Sequence, residues 1–163
     1  MHFPSLFYSI YLFFITRQHG NTYHGLLARI LCIDYGLKRT GIATTDPLQI
    51  IATALASVNS ADLIRFLKNY LAEEEVELIL IGYPLNLDDS ETHATPLVKK
   101  IIPVIRKAFP LIPVKPVDER YSSRSAKKEM LQMGMKKKDR RIKTNVDEIA
   151  ATMMLQEYLE TIR

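Results

Sequence analysis

The chain has 163 residues, of which 47% are hydrophobic and 25% charged, which is typical of one globular domain with a buried core. Its single cysteine excludes an intrachain disulfide and favours a reducing compartment, the cytoplasm. The net charge of +4 is unevenly distributed, because residues 120–143 hold ten basic and only two acidic residues, as in a polyanion-binding segment.

The first 28 residues differ in character from the rest. The stretch from Phe3 to Ile15 is aromatic and apolar, but it is shorter than the roughly 20 residues of a membrane-spanning helix. A secretory signal would begin with basic residues, and here the first is Arg17. We therefore favour a non-core extension over a membrane anchor. Residues 1–28 are expected to be a non-core extension, for which a start codon assigned too far upstream is one explanation, and residues 29–163 to form the domain.

The first predicted strand ends in a carboxylate. Residues 30–33 form an apolar run that is typical of a strand buried on both faces, and Asp34 follows it. Two glycines then bracket a turn that contains Lys38 and Arg39, so we predict a hairpin with Asp34 at its rim. A carboxylate beside backbone amides and two cations suits phosphate, bound directly or through a divalent cation. The alternative is an ordinary hairpin with a solvated turn.

Strands and helices alternate in the middle of the chain. The apolar patterns predict a strand over 50–58, a helix over 61–74, a strand over 77–81, a helix over 95–109 and an edge strand over 113–117. Asn59 or Ser60 can cap the first of these helices, and Pro103 is expected to kink or weaken the second. The polar loop over 83–95 is interpreted as a plain loop, with metal binding as the alternative.

Two more strand or helix ends offer carboxylates. The strand over 113–117 leads into Asp118 and Glu119, and a serine-capped helix is predicted over 123–133. Asp147 begins the apolar face of a last helix over 145–162, a face continued by Ala150, Ala151, Met154, Leu155 and Tyr158. The alternatives are that Glu119 only pairs with a neighbouring arginine and that Asp147 only closes a capping box with Thr144.

Basic side chains surround these candidate acids in the sequence. A charge run is often only a solvated surface, but this one lies between two acidic sites, so we assign it to contact with a nucleic-acid backbone. The residues assigned to that contact are Lys38, Arg39, Arg120, Arg124, Lys136, Lys137, Lys138, Arg140, Arg141 and Lys143.

Three carboxylates on separate elements, Asp34, Glu119 and Asp147, are expected to converge at one edge of a sheet. Acidic oxygen clusters with few histidines favour Mg²⁺ or Mn²⁺ over zinc. Two such ions can clamp a phosphodiester during its hydrolysis. These residues therefore predict a metal-dependent nuclease.

Four motifs, which follow one another along the chain, resemble those of the YqgF family, also called RuvX. This family includes proteins assigned to Holliday junction resolution and to pre-16S rRNA processing. They are Asp34-Tyr35-Gly36-Leu37-Lys38-Arg39-Thr40-Gly41, Gly82-Tyr83-Pro84-Leu85-Asn86, Asp118-Glu119-Arg120-Tyr121-Ser122-Ser123 and Asp147-Glu148-Ile149-Ala150-Ala151 with Leu155-Gln156. A small departure follows Asn86, where no glycine occurs within residues 87–90.

The resemblance implies an α/β fold of the RNase H type, with a central mixed five-stranded sheet flanked by helices. It also implies that Asp34, Glu119 and Asp147 are catalytic metal ligands, with Asp118 a weaker candidate, and that the substrate is the 5′ end of pre-16S rRNA in the cytoplasm.

Three alternatives remain at the level of sequence. One is a resolvase that acts on structured DNA, for which a homodimer is expected, whereas RNA trimming is compatible with a monomer. A non-catalytic RNA-binding assembly factor is the second. The third is an actin-like ATPase or sugar kinase, whose phosphate-binding domains open on similar hairpins but need two domains around a cleft.

Overall fold

The computed structural model describes residues 28–118 and 143–162, with side chains from residue 148 in the second range. The strands and helices in these ranges are β1 (Arg29–Tyr35), β2 (Arg39–Thr45), β3 (Ala52–Asn59), α1 (Leu63–Glu73), β4 (Val76–Tyr83), α2 (Thr95–Ala108), β5 (Val114–Asp118) and α3 (Lys143–Thr161). The predicted helix over 123–133 and residues 1–27 of the predicted extension lie outside the described residues.

The five strands form one mixed sheet in the order β3-β2-β1-β4-β5. The β1–β2 and β2–β3 pairs are antiparallel, whereas β1–β4 and β4–β5 are parallel. The predicted sheet is thus confirmed, including the edge position of the proline-containing strand β5. Because β1, β4 and β5 run in one direction, they end at the same edge of the sheet, here called the carboxyl edge.

Alternate residues of β1 enter two separate cores, one on each face of the sheet. Leu31 and Ile33 pack in a cluster with side chains of α1 and α2, including Leu67 and Ile102. Ile30 and Cys32 pack on the other face against α3. The continuous apolar run in β1 therefore reflects burial on both faces.

The helix α3 covers the second face with the apolar residues that its periodicity predicted. Among the side chains of this helix from residue 148 onward, those of Ala150, Ala151, Met154, Leu155 and Leu159 are buried, and Tyr158 is partly buried beside them. Ala151 is 0% exposed, so there is no room there for a larger side chain. No helix within the described ranges is long and apolar enough to span a membrane.

The strand β3 begins at Ala52, two residues later than predicted. Asp46 Oδ1 accepts hydrogen bonds of 2.7 Å from the backbone N–H groups of Ile50 and Ile51, and Oδ2 accepts one of 3.1 Å from Leu48. Burial by itself would raise the pKa of Asp46, but the backbone hydrogen bonds together outweigh it and the pKa is lowered. They also keep residues 48–51 in a turn, which delays the strand.

The start of the first helix was also predicted slightly too early. A 3₁₀ turn spans Ser60–Asp62, and α1 follows from Leu63. The predicted cap is confirmed for Asn59, whose side-chain oxygen accepts the N–H of Ala61 at 3.0 Å. In the second helix, Pro103 lies inside α2 without ending it.

Candidate active site

Asp34 is held at the carboxyl edge by the pairing of β1 with both of its neighbours. It pairs with Gly41 of β2, and the preceding Ile33 pairs with Ile81 of β4. The alternation along β1 places Asp34 on the face of Ile30 and Cys32, the face that α3 covers. Its side chain is half-buried there.

The turn after Asp34 is fixed by hydrogen bonds from outside the hairpin. Within the turn, the Gly36 N–H donates to the Arg39 carbonyl at 3.0 Å. Ser60 donates its hydroxyl to the Gly36 carbonyl at 2.7 Å and its N–H to the Lys38 carbonyl at 3.1 Å. A Cβ added to Gly36 would lie 2.6 Å from the Arg39 oxygen, so this position requires glycine. The turn is therefore a defined support for Lys38 and Arg39.

Ser60 supports the turn beside Asp34, whereas the sequence indicated it only as a possible helix cap. Its hydroxyl is also 3.0 Å from the Thr40 hydroxyl, and both residues are buried. The contact joins residues 20 or more positions apart, which no local pattern indicates. The sequence signal was limited to a polar residue at a strand end.

The second predicted acidic position lies at the same edge, two strands from Asp34. Asp118 ends β5 and pairs with Tyr83 of β4. The next residue, Glu119, lies outside the described residues. Asp118 is close enough to Glu157 of α3 to contribute to a raised pKa of that carboxyl group, after burial and the charge of Glu160.

The third predicted acid, Asp147, is the fifth residue of α3. This position agrees with a location near the start of the helix, but its side chain lies outside the described residues. The helix begins at Lys143, one residue before Thr144, and the capping box between Thr144 and Asp147 stays a prediction. Convergence of the three acids is likewise a prediction.

Most of the predicted phosphate-binding side chains fall outside the described part of the chain. Lys38 and Arg39 are described, with Lys38 exposed at the hairpin turn and Arg39 half-buried at the start of β2. Those outside are Arg120, Arg124, Lys136, Lys137, Lys138, Arg140 and Arg141, together with the side chain of Lys143. The described residues thus place two cations next to Asp34 in the chain.

The donor chemistry of the three predicted ligands suits a hard divalent cation, because all three are carboxylates. Within residues 28–118 and 148–162, no three acidic, histidine or cysteine side chains are grouped so as to hold a metal ion. Of the predicted set, only Asp34 has a described side chain.

The polar loop after β4 uses its side chains to build a turn. Asp88 Oδ1 accepts hydrogen bonds from the N–H and hydroxyl of Ser90, at 3.1 and 2.6 Å. Asn86 donates from its side-chain amide to the Ser90 hydroxyl at 2.9 Å. Glu91 pairs with Lys99 of α2. These contacts agree with the interpretation as a structural loop.

A family model with the description "RuvX: Holliday junction resolvase" matches residues 28–161. The chain belongs to the RuvX family. The matched residues comprise all five strands and all three described helices, so the family match covers the whole sheet and its carboxyl edge.

Curated relatives in the RuvX family are named "Putative pre-16S rRNA nuclease". The relative from Bacteroides thetaiotaomicron is 45% identical over 137 residues, which cover 84% of this chain and 99% of the relative. The one from Phocaeicola vulgatus is 47% identical over 135 residues, covering 83% and 97%. The chain therefore contains nearly the full length of these relatives.

A solved structure of Thermus thermophilus RuvC in complex with a Holliday junction substrate shares the fold. It matches with a TM-score of 0.51 over 82% of this chain and 96% of that chain, at 15% identity. The likeness supports the RNase H-like fold that the motifs implied.

Proposed function

We propose that this RuvX-family chain is a divalent-metal-dependent nuclease that hydrolyses phosphodiester bonds of RNA, with the 5′ region of pre-16S rRNA as its substrate and the cytoplasm as its location. The observation that carries the proposal is full-length similarity to relatives named for this activity. The position of Asp34 at the carboxyl edge, next to a turn with two cations, supports it.

In this proposal the acidic residues hold the metal and the basic residues hold the RNA. Asp34, Glu119 and Asp147 would supply the carboxylate oxygens, and Mg²⁺ or Mn²⁺ bound there would stabilise charge on the phosphate and activate water. Lys38 and Arg39, on the turn fixed by Ser60, would bind backbone phosphates beside the cleaved bond.

The proposal is tested with purified protein, a precursor-like 16S rRNA fragment and a four-way DNA junction, each with Mg²⁺, Mn²⁺ or chelator. We expect RNA cleavage that requires metal and falls at least about 100-fold in Asp34→Asn, because losing even an indirect partner of a metal ligand costs roughly 10–100-fold. Glu75→Gln, an exposed carboxylate change before β4, is the control and should cleave normally.

The family description and the RuvC fold make the DNA junction the second candidate substrate. If only the junction is cleaved, the chain is still a nuclease, but its substrate is a DNA recombination intermediate and not RNA. Binding of RNA without cleavage of either substrate would contradict the proposal and favour an assembly factor.

A further inference from the structure

A shallow groove opens at the carboxyl edge beside the end of β5. It has a volume of about 230 Å³. Tyr83 and Leu85 line it from the end of β4 and the following loop, and Pro116, Val117 and Asp118 line it from β5. Because Tyr83 and Asp118 are register partners, the sheet itself holds the two sides of the groove in place.

The lining suits a flat ring that has N–H groups on its edge. A tyrosine ring and a proline offer apolar surfaces against which a planar ring can stack. The Asp118 carboxylate can accept hydrogen bonds from the amino or imino groups of a nucleobase. The volume is below the roughly 300–1,000 Å³ of pockets for drug-sized ligands, so it suits a single base.

The groove lies close to Asp34 along the carboxyl edge. In the sheet, Asp34 of β1 lies beside Gly82 of β4, and Gly82 pairs with Val117 of β5. Asp34 and Val117 are therefore two strand spacings, or roughly 10 Å, apart. Stacked nucleotides follow one another at about 3.4 Å along a strand. A base in the groove would therefore belong to a nucleotide within about three positions of a phosphate at Asp34.

The groove lies across the edge between the two faces of the sheet. Tyr83 packs with the cluster beneath α1 and α2, whereas Val117 packs on the face of α3, to which Asp34 also belongs. A nucleic-acid strand that contacts both Tyr83 and Asp34 must cross the edge of the sheet. A base in a duplex has its faces covered by stacked neighbours and its edge by its partner, so only an unpaired base can enter the groove.

We propose that this groove binds one unpaired nucleobase of the RNA substrate, with its ring against Tyr83 and its N–H groups donating to Asp118. The proposal rests on the nuclease function proposed above and specifies its substrate: RNA that is single-stranded next to the cleaved bond. It also assigns Asp118 to base binding, separate from metal binding.

The test measures binding in chelator, so that no cleavage occurs. The probes are an RNA hairpin with a single-stranded 5′ overhang carrying 2-aminopurine and the same RNA with its overhang paired to a complementary strand. We expect Tyr83→Leu, which keeps an apolar side chain against the core, to bind the overhang RNA about 10-fold more weakly and the paired RNA as wild type does. Tyr83→Phe, which keeps the ring, should bind both normally.

Leu87→Ala, an exposed change in the same loop as Leu85 but outside the groove lining, is the matched control and should bind like wild type. Thermal melting establishes that each variant is folded. Independently of the variants, a change of 2-aminopurine fluorescence when the RNA binds the wild-type protein reports a change in the stacking of that base. Unchanged overhang binding in Tyr83→Leu, equal losses for both RNAs, or unchanged fluorescence would each overturn the proposal.

Cleavage by wild type, run in parallel, separates the two proposals. If wild type cleaves the RNA while Tyr83→Leu binds it normally, the result supports the proposed nuclease activity and contradicts base binding in the groove. If binding depends on Tyr83 while no RNA is cleaved, the result supports base binding in the groove and contradicts the proposed nuclease activity.

Discussion

At the scale of single residues, Glu157 shows how the fold places like charges together. It is half-buried on α3, and burial raises the pKa of its carboxyl group, with Glu160 and Asp118 adding to the effect. A carboxyl group with a raised pKa in the folded state binds protons more readily than in the unfolded chain. Its ionisation therefore costs stability as the pH rises from the unfolded pKa, roughly 4.3, through the folded value.

We expect Glu157→Gln to increase the free energy of unfolding at pH 7–8, by less than about 1 kcal/mol because solvent screens a group that is partly exposed. The gain should vanish near pH 3, well below the unfolded pKa, where the wild-type carboxyl group is protonated in both states. Urea unfolding at the two pH values measures it. Glu73→Gln, an exposed change on α1, controls for the loss of one negative charge. A gain of equal size at both pH values would contradict this account.

At the scale of secondary-structure elements, the position of α3 depends on small side chains. Ala150 and Ala151 are both buried, and Ala151 packs against the face of the sheet that includes Ile30 and Cys32. Since Asp147 lies on the same helix, the depth of this packing also sets where the start of the helix lies.

Ala151→Leu should therefore destabilise the protein by about 1–3 kcal/mol, because the extra carbons have no room at a 0% exposed site. Ala72→Leu makes the same change at an exposed position of α1 and should shift stability by no more than about 0.5 kcal/mol. Chemical denaturation compares the two variants. If both lose the same stability, close packing of α3 is not the cause.

At the scale of the whole molecule, the basic residues are concentrated between positions 120 and 143, while the rest of the chain has 12 basic and 16 acidic residues. This distribution predicts that nucleic-acid affinity depends on that segment more than on net charge. The dependence of affinity on salt measures how many phosphates are neutralised.

Replacing Lys136, Lys137 and Lys138 by alanine should reduce the slope of log affinity for single-stranded RNA against log salt by about 2 units, since each phosphate contact contributes roughly 0.7. The control replaces Lys68, Lys100 and Lys107, exposed lysines of α1 and α2, and so changes the net charge equally. Fluorescence anisotropy across a salt series compares them. Equal slopes in the two triple variants would show that only overall charge matters.

The elements of this protein follow from its sequence because their signals are local. Apolar runs marked the buried strands, the 3.6-residue period marked the face of α3, and prolines marked β5 as an edge strand, all confirmed by the sheet order. The family was also evident, since four short motifs in order resemble RuvX before any fold is known. Asp34 at the end of β1 belongs to this locally determined part.

Only the tertiary structure decided how distant segments meet. The hydroxyl of Ser60 fixes the turn beside Asp34, the Asp46 carboxylate delays β3, and the ends of β4 and β5 together form the groove at Tyr83 and Asp118. The contacts of Ser60 and those across the groove join residues far apart in the chain. The contacts of Asp46 depend on the conformation of its turn. Sequence periodicity reports which face of an element is buried, and it contains no information on which residue of another element a side chain contacts.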